Sequence, residues 1–260
     1  MIFRNVTQSV YLVSSHPDSN VNVTAFNLPK RIVLIDCGMR LPAAVEVRKE
    51  TEAFFKKKVD VVILTHFHSD HTAGLPAFSD CRIISSRFML KNLKETGRKV
   101  PEGFMVTFPN KTFDNQLKLR YGDVQFLIKR TGGHTDGSAY VYCPDYKVVV
   151  TGDNLTINFN PWGGAKNGDP DLWIRALQEY LSLAAEFFIP GHGPVGGKDQ
   201  VKELLDYIEI VRKVMMEMIV LGKTEEEIFN ASRKIEYIPS RKAHPSTLKR
   251  WHKVFRARAV

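Results

Sequence analysis

Cysteine is scarce in this 260-residue chain: only Cys37, Cys81 and Cys143 occur, each alone in an apolar stretch and none in a CxxC pair. That excludes a disulfide scaffold and predicts buried free thiols in a reducing compartment. Long apolar runs are missing as well, and none approaches the roughly 20 residues needed to cross a bilayer. The opening MIFRNVTQSVYLVSS alternates polar and apolar residues and lacks the basic stretch and apolar block of a secretory signal, so it reads as a strand. No membrane association and a cytoplasmic location are the resulting expectations. Acidic residues are absent from positions 241–260, which hold seven Lys/Arg; the formal net charge of +9 therefore leaves only about +2 for the rest. The basic excess is local, which makes nucleic acid a less favoured partner than a small molecule. With 43% hydrophobic and 25% charged residues, the composition is that of an ordinary soluble globular protein.

What is present is an alternation of short strands and helices. Residues 6–13, 22–27 and 31–35 read as strands, the last two as a hairpin. Pro42 opens a helix through Lys58, with Ala44, Val47, Phe54 and Phe55 near one face. VDVVILT, residues 59–65, is β-branched, short and apolar on successive positions, as a strand buried on both faces should be. Further strands are expected at 81–85, 118–121, 124–130, 139–143, 147–150 and 187–189, with a helix at 87–95. Asp169 followed by Pro170 marks another helix start. After Gly197 only helices are expected, at 199–221, 224–234 and 245–258, with Thr224 and Glu227 forming a capping box. The chain thus divides into 1–197, a mixed α/β domain, and 198–260, a helical extension packed on it.

Three of the eight histidines fall in one hexad, His66-Phe-His68-Ser-Asp70-His71, directly after the strand at 59–65. At this chain's own His and Asp frequencies such a hexad has a chance probability on the order of a few in ten thousand, so it counts as a strong motif. Alternation in extended backbone points His66 and His68 the same way, as two ligands of one ion require. A helical zinc site would space its histidines four apart, so this is a strand-end site in which four close ligands can be divided between two ions. The pattern recurs: His134 in TGGHTDGS, Asp153 in TGDN and His192 in IPGHGP each follow a strand in a glycine-flanked loop.

THFHSDH, GGHTDGS, TGD and PGHG, in this order, resemble the ligand motifs of the metallo-β-lactamase-fold hydrolase superfamily, and LIDCG around Asp36 resembles its first, mainly structural, motif. The resemblance runs from about Val6 to Pro194. It implies an αββα sandwich with a dinuclear site, His66, His68 and His134 on one metal, Asp70, His71 and His192 on the other, and Asp153 bridging both. Zinc suits this mixed nitrogen and oxygen set, with iron or manganese as alternatives. The implied activity is hydrolysis by a metal-bridging hydroxide attacking the carbonyl of a small thioester, lactone or ester, with Asp70 as the catalytic residue handling the proton. Asp153 resembles the bridging carboxylate of thioesterase, lactonase and phosphodiesterase members, a carboxylate that true β-lactamases generally lack. The segment 155–168 lacks the cysteine- and arginine-containing stretch typical of glyoxalase II. Two alternatives stand beside this reading: a phosphodiesterase or ribonuclease of the same fold, and a mononuclear iron dioxygenase of the persulfide-oxidising kind.

Substrate contacts are not identified by sequence. Asn158, Phe159, Asn160, Pro161 and Trp162 follow Asp153 closely enough to form a pocket wall, or else a solvent-exposed loop with one anchoring Trp. His16 reads as a surface histidine or a flap over the metals, and His244 and His252 stay undecided. Leu204, Leu205, Ile208, Val211, Met215, Met218 and Ile219 form a helical stripe that reads as core, with a pocket or dimer face as the other use. In the last helix Leu248, Trp251 and Phe255 make one face, and Lys249, Arg250, Lys253, Arg256 and Arg258 surround it as a solvated face or an anion-recruiting one.

Overall fold

The computed structural model describes residues 2–14, 20–97, 99–239 and 241–259; His16 lies outside the described residues. Two sheets stack between outer helical layers. The first has seven strands in chain order: β1 (Ile2–Thr7), β2 (Val10–Ser14), β3 (Val23–Asn27), β4 (Ile32–Ile35), β5 (Val59–Ile63), β6 (Arg82–Ser86) and β7 (Lys111–Phe113). β1 to β4 pair antiparallel and β4 to β7 parallel. The second runs β12–β11–β10–β9–β8, from β8 (Gln116–Tyr121), β9 (Val124–Arg130), β10 (Ala139–Cys143), β11 (Val148–Thr156) and β12 (Phe187–His192). Of these pairs only β11 with β12 is parallel.

The two-residue period of the strands divides their side chains between two cores. Val33, Ile35, Val61 and Ile63 meet Phe126, Ile128, Val141 and Val150 between the sheets. Their neighbours Ile32, Leu34, Val62 and Leu64 face the other way, onto α1 (Leu41–Phe55) and α3 (Arg87–Glu95), through Ala44, Val47, Met89 and Leu93. This is why the β5 sequence is apolar at consecutive positions. On the far side, Tyr140, Val149 and Phe188 of the second sheet pack against α4 (Pro170–Ser182), α5 (Lys198–Val220) and α7 (Pro245–Arg256), through Trp173, Leu204, Ile208, Leu248, Trp251 and Phe255. The result is the αββα order expected from the motifs. The cysteines are all free and buried, and no helix among the described residues is long and apolar enough to cross a membrane.

Several expectations need correction. The strand expected at 6–13 is a hairpin that turns at Gln8–Ser9, with Thr7 opposite Val10 and a register shift after Asn5, because alternation continues across a turn that no Gly or Pro announces. The strand expected to end at Val150 continues to Thr156, so Asp153 lies within β11, and His192 ends β12 rather than following it. β7 is only three residues long and its sequence carries no periodic signal. Phe54 is 57% exposed on α1, stacked on Phe3 with ring centroids 4.3 Å apart.

Helix ends follow their capping chemistry. Asp169 accepts hydrogen bonds from the backbone N–H groups of Asp171 and Leu172 at the start of α4. Thr224 and Glu227 close the reciprocal box that begins α6 (Glu225–Ser232). His244 caps α7 by accepting from the Ser246 N–H, and His252 is buried against Phe229 with its Nδ1 3.1 Å from Glu225, so both have structural partners. In the stripe of α5, Leu204, Leu205, Ile208, Val211 and Met215 are buried, while Met218 and Ile219 pack at the margin of the core. Trp251, 1% exposed, is central to this layer: its ring meets Trp173, and a Cβ on Gly163 would lie 2.3 Å from its Nε1. Trp251→Ala is expected to destabilise the fold by about 3–5 kcal/mol, measured as a lower urea midpoint with an unchanged slope.

Candidate metal centre

The ends of β5, β9, β11 and β12 converge at one edge of the sandwich. The two sheets are tied together there by backbone: Ala139 N–H donates to the Thr65 carbonyl (2.9 Å) and Asn22 N–H to that of Gly191 (2.9 Å). The Asn22 side chain adds bonds to the carbonyls of Pro190 and Gly193, both 2.9 Å. Beyond β5 the chain passes through His66 and His68 into the short helix α2 (Ser69–Thr72), which carries Asp70 and His71. Close backbone approach is required twice here. A Cβ at Gly152, whose φ is +56°, would sit 2.6 Å from Thr65 Oγ1, and one at Gly191 would lie 1.9 Å from Asp153 Oδ1.

All seven side chains expected at the site come together, in two groups sharing one member. His66, His68, His134 and Asp153 form the first, and Asp70, His71, His192 and Asp153 the second; within each, the ligand atoms lie within 4.8 Å of one another, as for groups that could hold a metal ion. In the first group Asp153 Oδ2 is 3.6 Å from His66 Nε2 and 3.4 Å from His134 Nε2, and His134 Nε2 is 2.8 Å from His68 Nδ1. In the second, His71 Nε2 is 3.1 Å from Asp153 Oδ1, and His192 Nε2 is 3.1 Å from Asp70 Oδ2. Donors around tetrahedral zinc stand about 3.3–3.4 Å apart, given zinc–nitrogen bonds near 2.0–2.1 Å. The observed separations bracket that value.

A cation also fits the unsatisfied atoms. His66 Nε2 and Asp153 Oδ1 are buried and make no hydrogen bond, an arrangement that would cost free energy unless another species met them. The opposite ring nitrogens are committed. Asp36, 2% exposed and in left-handed backbone at φ +61°, accepts at Oδ1 from Thr65 N–H (2.8 Å) and at Oδ2 from Thr65 Oγ1 (2.8 Å) and His71 Nδ1 (2.9 Å). Thr65 spends its only hydroxyl proton on Asp36, so at 3.0 Å it accepts from His66 Nδ1. His134 Nδ1 donates to the Trp162 carbonyl (2.8 Å), while the His134 N–H donates to Asn154 Oδ1 (2.9 Å). In His66, His71 and His134 alike, Nε2 is left as the ring nitrogen that faces the centre.

The electrostatics differ between the two groups. Burial, with the neighbouring imidazoles, holds His66 well below the usual histidine value; it brings His68 down to about 3 and also lowers His134. These rings are neutral at pH 7, as ligands must be. In the second group burial opposes charge too, but carboxylates prevail: Asp153 and Asp36 hold His71 well above its ordinary value, and Asp153 and Asp70 raise His192 to about 9. Burial would raise Asp153, yet His71 and His66 keep it well below the carboxylate range; Asp70 is lowered against its own burial chiefly by the hydrogen bond from His192.

A chamber of about 400 Å³ opens over both groups, walled by Phe159, Asn160 and Trp162. Of the two uses open to the segment after Asp153, it takes the pocket wall: the Trp162 ring lies 5.3 Å from that of His68 and 5.8 Å from that of His134. Helix α7 and the connection that precedes it grip this segment. Gly163 N–H donates to Thr247 Oγ1 (2.9 Å), Asn160 Nδ2 to the Lys242 carbonyl (2.8 Å), Tyr237 OH to the Thr156 carbonyl (2.8 Å) and Arg250 Nε to the Gly168 carbonyl (2.8 Å). Sequence reasoning did not reach Thr65, Asn154 or the Trp162 carbonyl as supports. Only Thr65 carried a signal, as the polar end of an apolar strand just before the hexad.

The model of the metallo-beta-lactamase superfamily matches residues 16–192. The chain is 25% identical over 194 residues to a metallo-beta-lactamase type 2 of Bacillus sp. (strain 170), covering 72% of each. It is 22% identical over 251 residues to a linear primary-alkylsulfatase of a Pseudomonas species, covering 77% of this chain and 47% of that protein, about half its length. Among solved structures, the metallo-beta-lactamase from Pontibacter korlensis superposes with a TM-score of 0.69 at 21% identity, over 80% of this chain and 98% of that one. The matched span runs from before the first sheet is complete to the last histidine of the site and takes in every strand that delivers a candidate ligand, so the protein belongs to the metallo-beta-lactamase superfamily.

Proposed function

We propose that this protein is a dinuclear metal-dependent hydrolase, with zinc as the ion, acting on the carbonyl of a small thioester, lactone or ester. The observation that carries this reading is Asp153, a carboxylate buried between two three-residue ligand groups and counted in both. Two divalent cations held by these groups would bring the pKa of a bound water to about 7 and polarise the carbonyl under attack. The chain's own residues supply the rest. Asp36 and Thr65 orient one imidazole in each group, and the Trp162 carbonyl orients His134. Asp70, a quarter exposed to the chamber with Oδ2 3.1 Å from His192, is the carboxylate that handles the proton. Phe159 and Trp162 present apolar faces that hold a small substrate against the ligand groups and exclude water.

In this reading residues 1–197 carry the chemistry and 198–260 shape the pocket wall. A ribonuclease use of the basic tail draws less support, since part of that charge is spent internally. Arg258 lies against Asp169 at 2.6 Å and also engages Asp171, and Arg250 is bonded to the Gly168 carbonyl.

Metal analysis of the purified protein is expected to give two zinc ions per chain; one iron per chain would overturn the hydrolase reading in favour of a mononuclear oxygenase. Asp153→Ala and His66→Ala are each expected to abolish turnover of a thioester and lactone panel along with metal retention, and a variant keeping both would overturn the ligand assignment. Asp36→Asn is expected to remain folded by circular dichroism while metal affinity, from chelator competition, falls about 10–100-fold.

A further inference from the structure

Next to the metal-facing chamber lies a second one, of about 430 Å³, between the start of α1, Ser69 of α2 with the turn after that helix (Ala73, Leu75, Pro76), and the segment 99–107. Ser69 lines both chambers. It stands between His68 and Asp70, so the second chamber begins one residue from each ligand group. Its floor is apolar and buried, formed by Leu41 and Leu75 at 7% and 1% exposure. Its rim leaves large apolar side chains in water: Met39 is 55% exposed and Val106 45%, with Met105 beyond them at 73%. Grouped exposure of this kind marks a binding surface, whereas single exposed apolar residues do not. The apolar groove is bordered by two cations, Arg40 and Lys99, and among the described residues neither is ion-paired with a carboxylate. Among the described residues, the chamber over the ligand groups is walled by aromatic and polar side chains and has no comparable aliphatic lining.

We propose that this groove receives an aliphatic chain of the substrate, running from the reacting carbonyl past Ser69 and ending in a carboxylate or other anionic group held by Arg40 and Lys99. The inference rests on the hydrolase reading and narrows its substrate class to amphiphilic compounds, apolar along the chain and negative at the far end. Each methylene entering such a groove leaves water for contact with Met39, Leu41, Leu75 and Val106, and the terminal charge meets two cations that have no carboxylate partner among the described residues.

The test uses the zinc-loaded full chain. One series lengthens the acyl side of a thioester from acetyl through hexanoyl to decanoyl, and a second lengthens the thiol side of an acetyl thioester. In one of the two, kcat/KM is expected to rise about three- to fourfold per methylene until the groove is filled. A carboxylate at the far end should add about two- to fivefold, and the Arg40→Ala/Lys99→Ala double variant should lose that increment alone. Val106→Trp is expected to flatten the dependence on chain length. Affinities of the matching methyl ketones, which keep the carbonyl but have no leaving group, are measured by calorimetry on the unaltered protein. They should climb with chain length in parallel, independently of turnover and of any variant's folding. Hydrolysis of the acetyl thioester with no chain-length dependence in either series or in the ketones overturns the groove assignment and leaves the hydrolase reading standing. Ketone affinity that climbs while neither thioester series nor chain-matched lactones and esters are hydrolysed supports the groove and overturns the hydrolase reading.

Discussion

The Asp36 carboxylate is the contact on which the candidate centre depends. It is held by left-handed backbone at the end of β4 and buried where the first sheet meets the hexad. It takes the Thr65 N–H and hydroxyl as well as the His71 Nδ1 proton. Through Thr65 it fixes which nitrogen of His66 faces inward; through its direct bond it does the same for His71. Each of those rings belongs to a different ligand group, so one buried anion sets the orientation of both halves. Its burial is tolerable because all three donors are present. The donors are in place because β4 and β5 are parallel neighbours in register from Val33 opposite Val61 onward.

Above that contact the sandwich acts as a positioning device. Strand alternation sends successive side chains of β4 and β5 into two cores, which leaves β5 no freedom to rotate. The hexad therefore leaves the sheet edge in one direction. From the opposite sheet, β11 and β12 bring Asp153 and His192 together by parallel pairing, with glycines at 152 and 191 where any side chain would displace Thr65 or Asp153 itself. The Asp153 oxygen and His66 nitrogen are among several buried polar atoms without a hydrogen bond, and they are the two that belong to the ligand groups, where a bound cation would satisfy them.

Much of this was legible in the sequence because the signals were physical ones. Two-faced apolar runs marked the central strands, Asp169-Pro170 and Thr224 with Glu227 marked helix starts, and the hexad with its glycine-flanked partners marked the seven side chains that converge. What was not legible depended on tertiary contact. The turn at Gln8–Ser9 lacks turn residues, so the alternation on either side read as one strand. β11 runs past Val150 because β12 pairs alongside it, a fact local propensity cannot hold. The support from Trp162 is a backbone carbonyl, which every residue has and no residue type advertises. The groove beside Ser69 is assembled from α1, α2 and residues 99–107, three segments with no shared pattern.

The grip of α7 and the connection before it on residues 156–168 separates two properties along the chain. Every residue of the two ligand groups lies at or before His192, while the wall that a bound molecule would touch is held from Tyr237, Lys242, Thr247 and Arg250. Substitutions at positions 237–250 can therefore tilt or reshape that wall without replacing a ligand. The candidate ligands and the surface that frames them are thus encoded in separate stretches of sequence, so one can be altered while the other is kept.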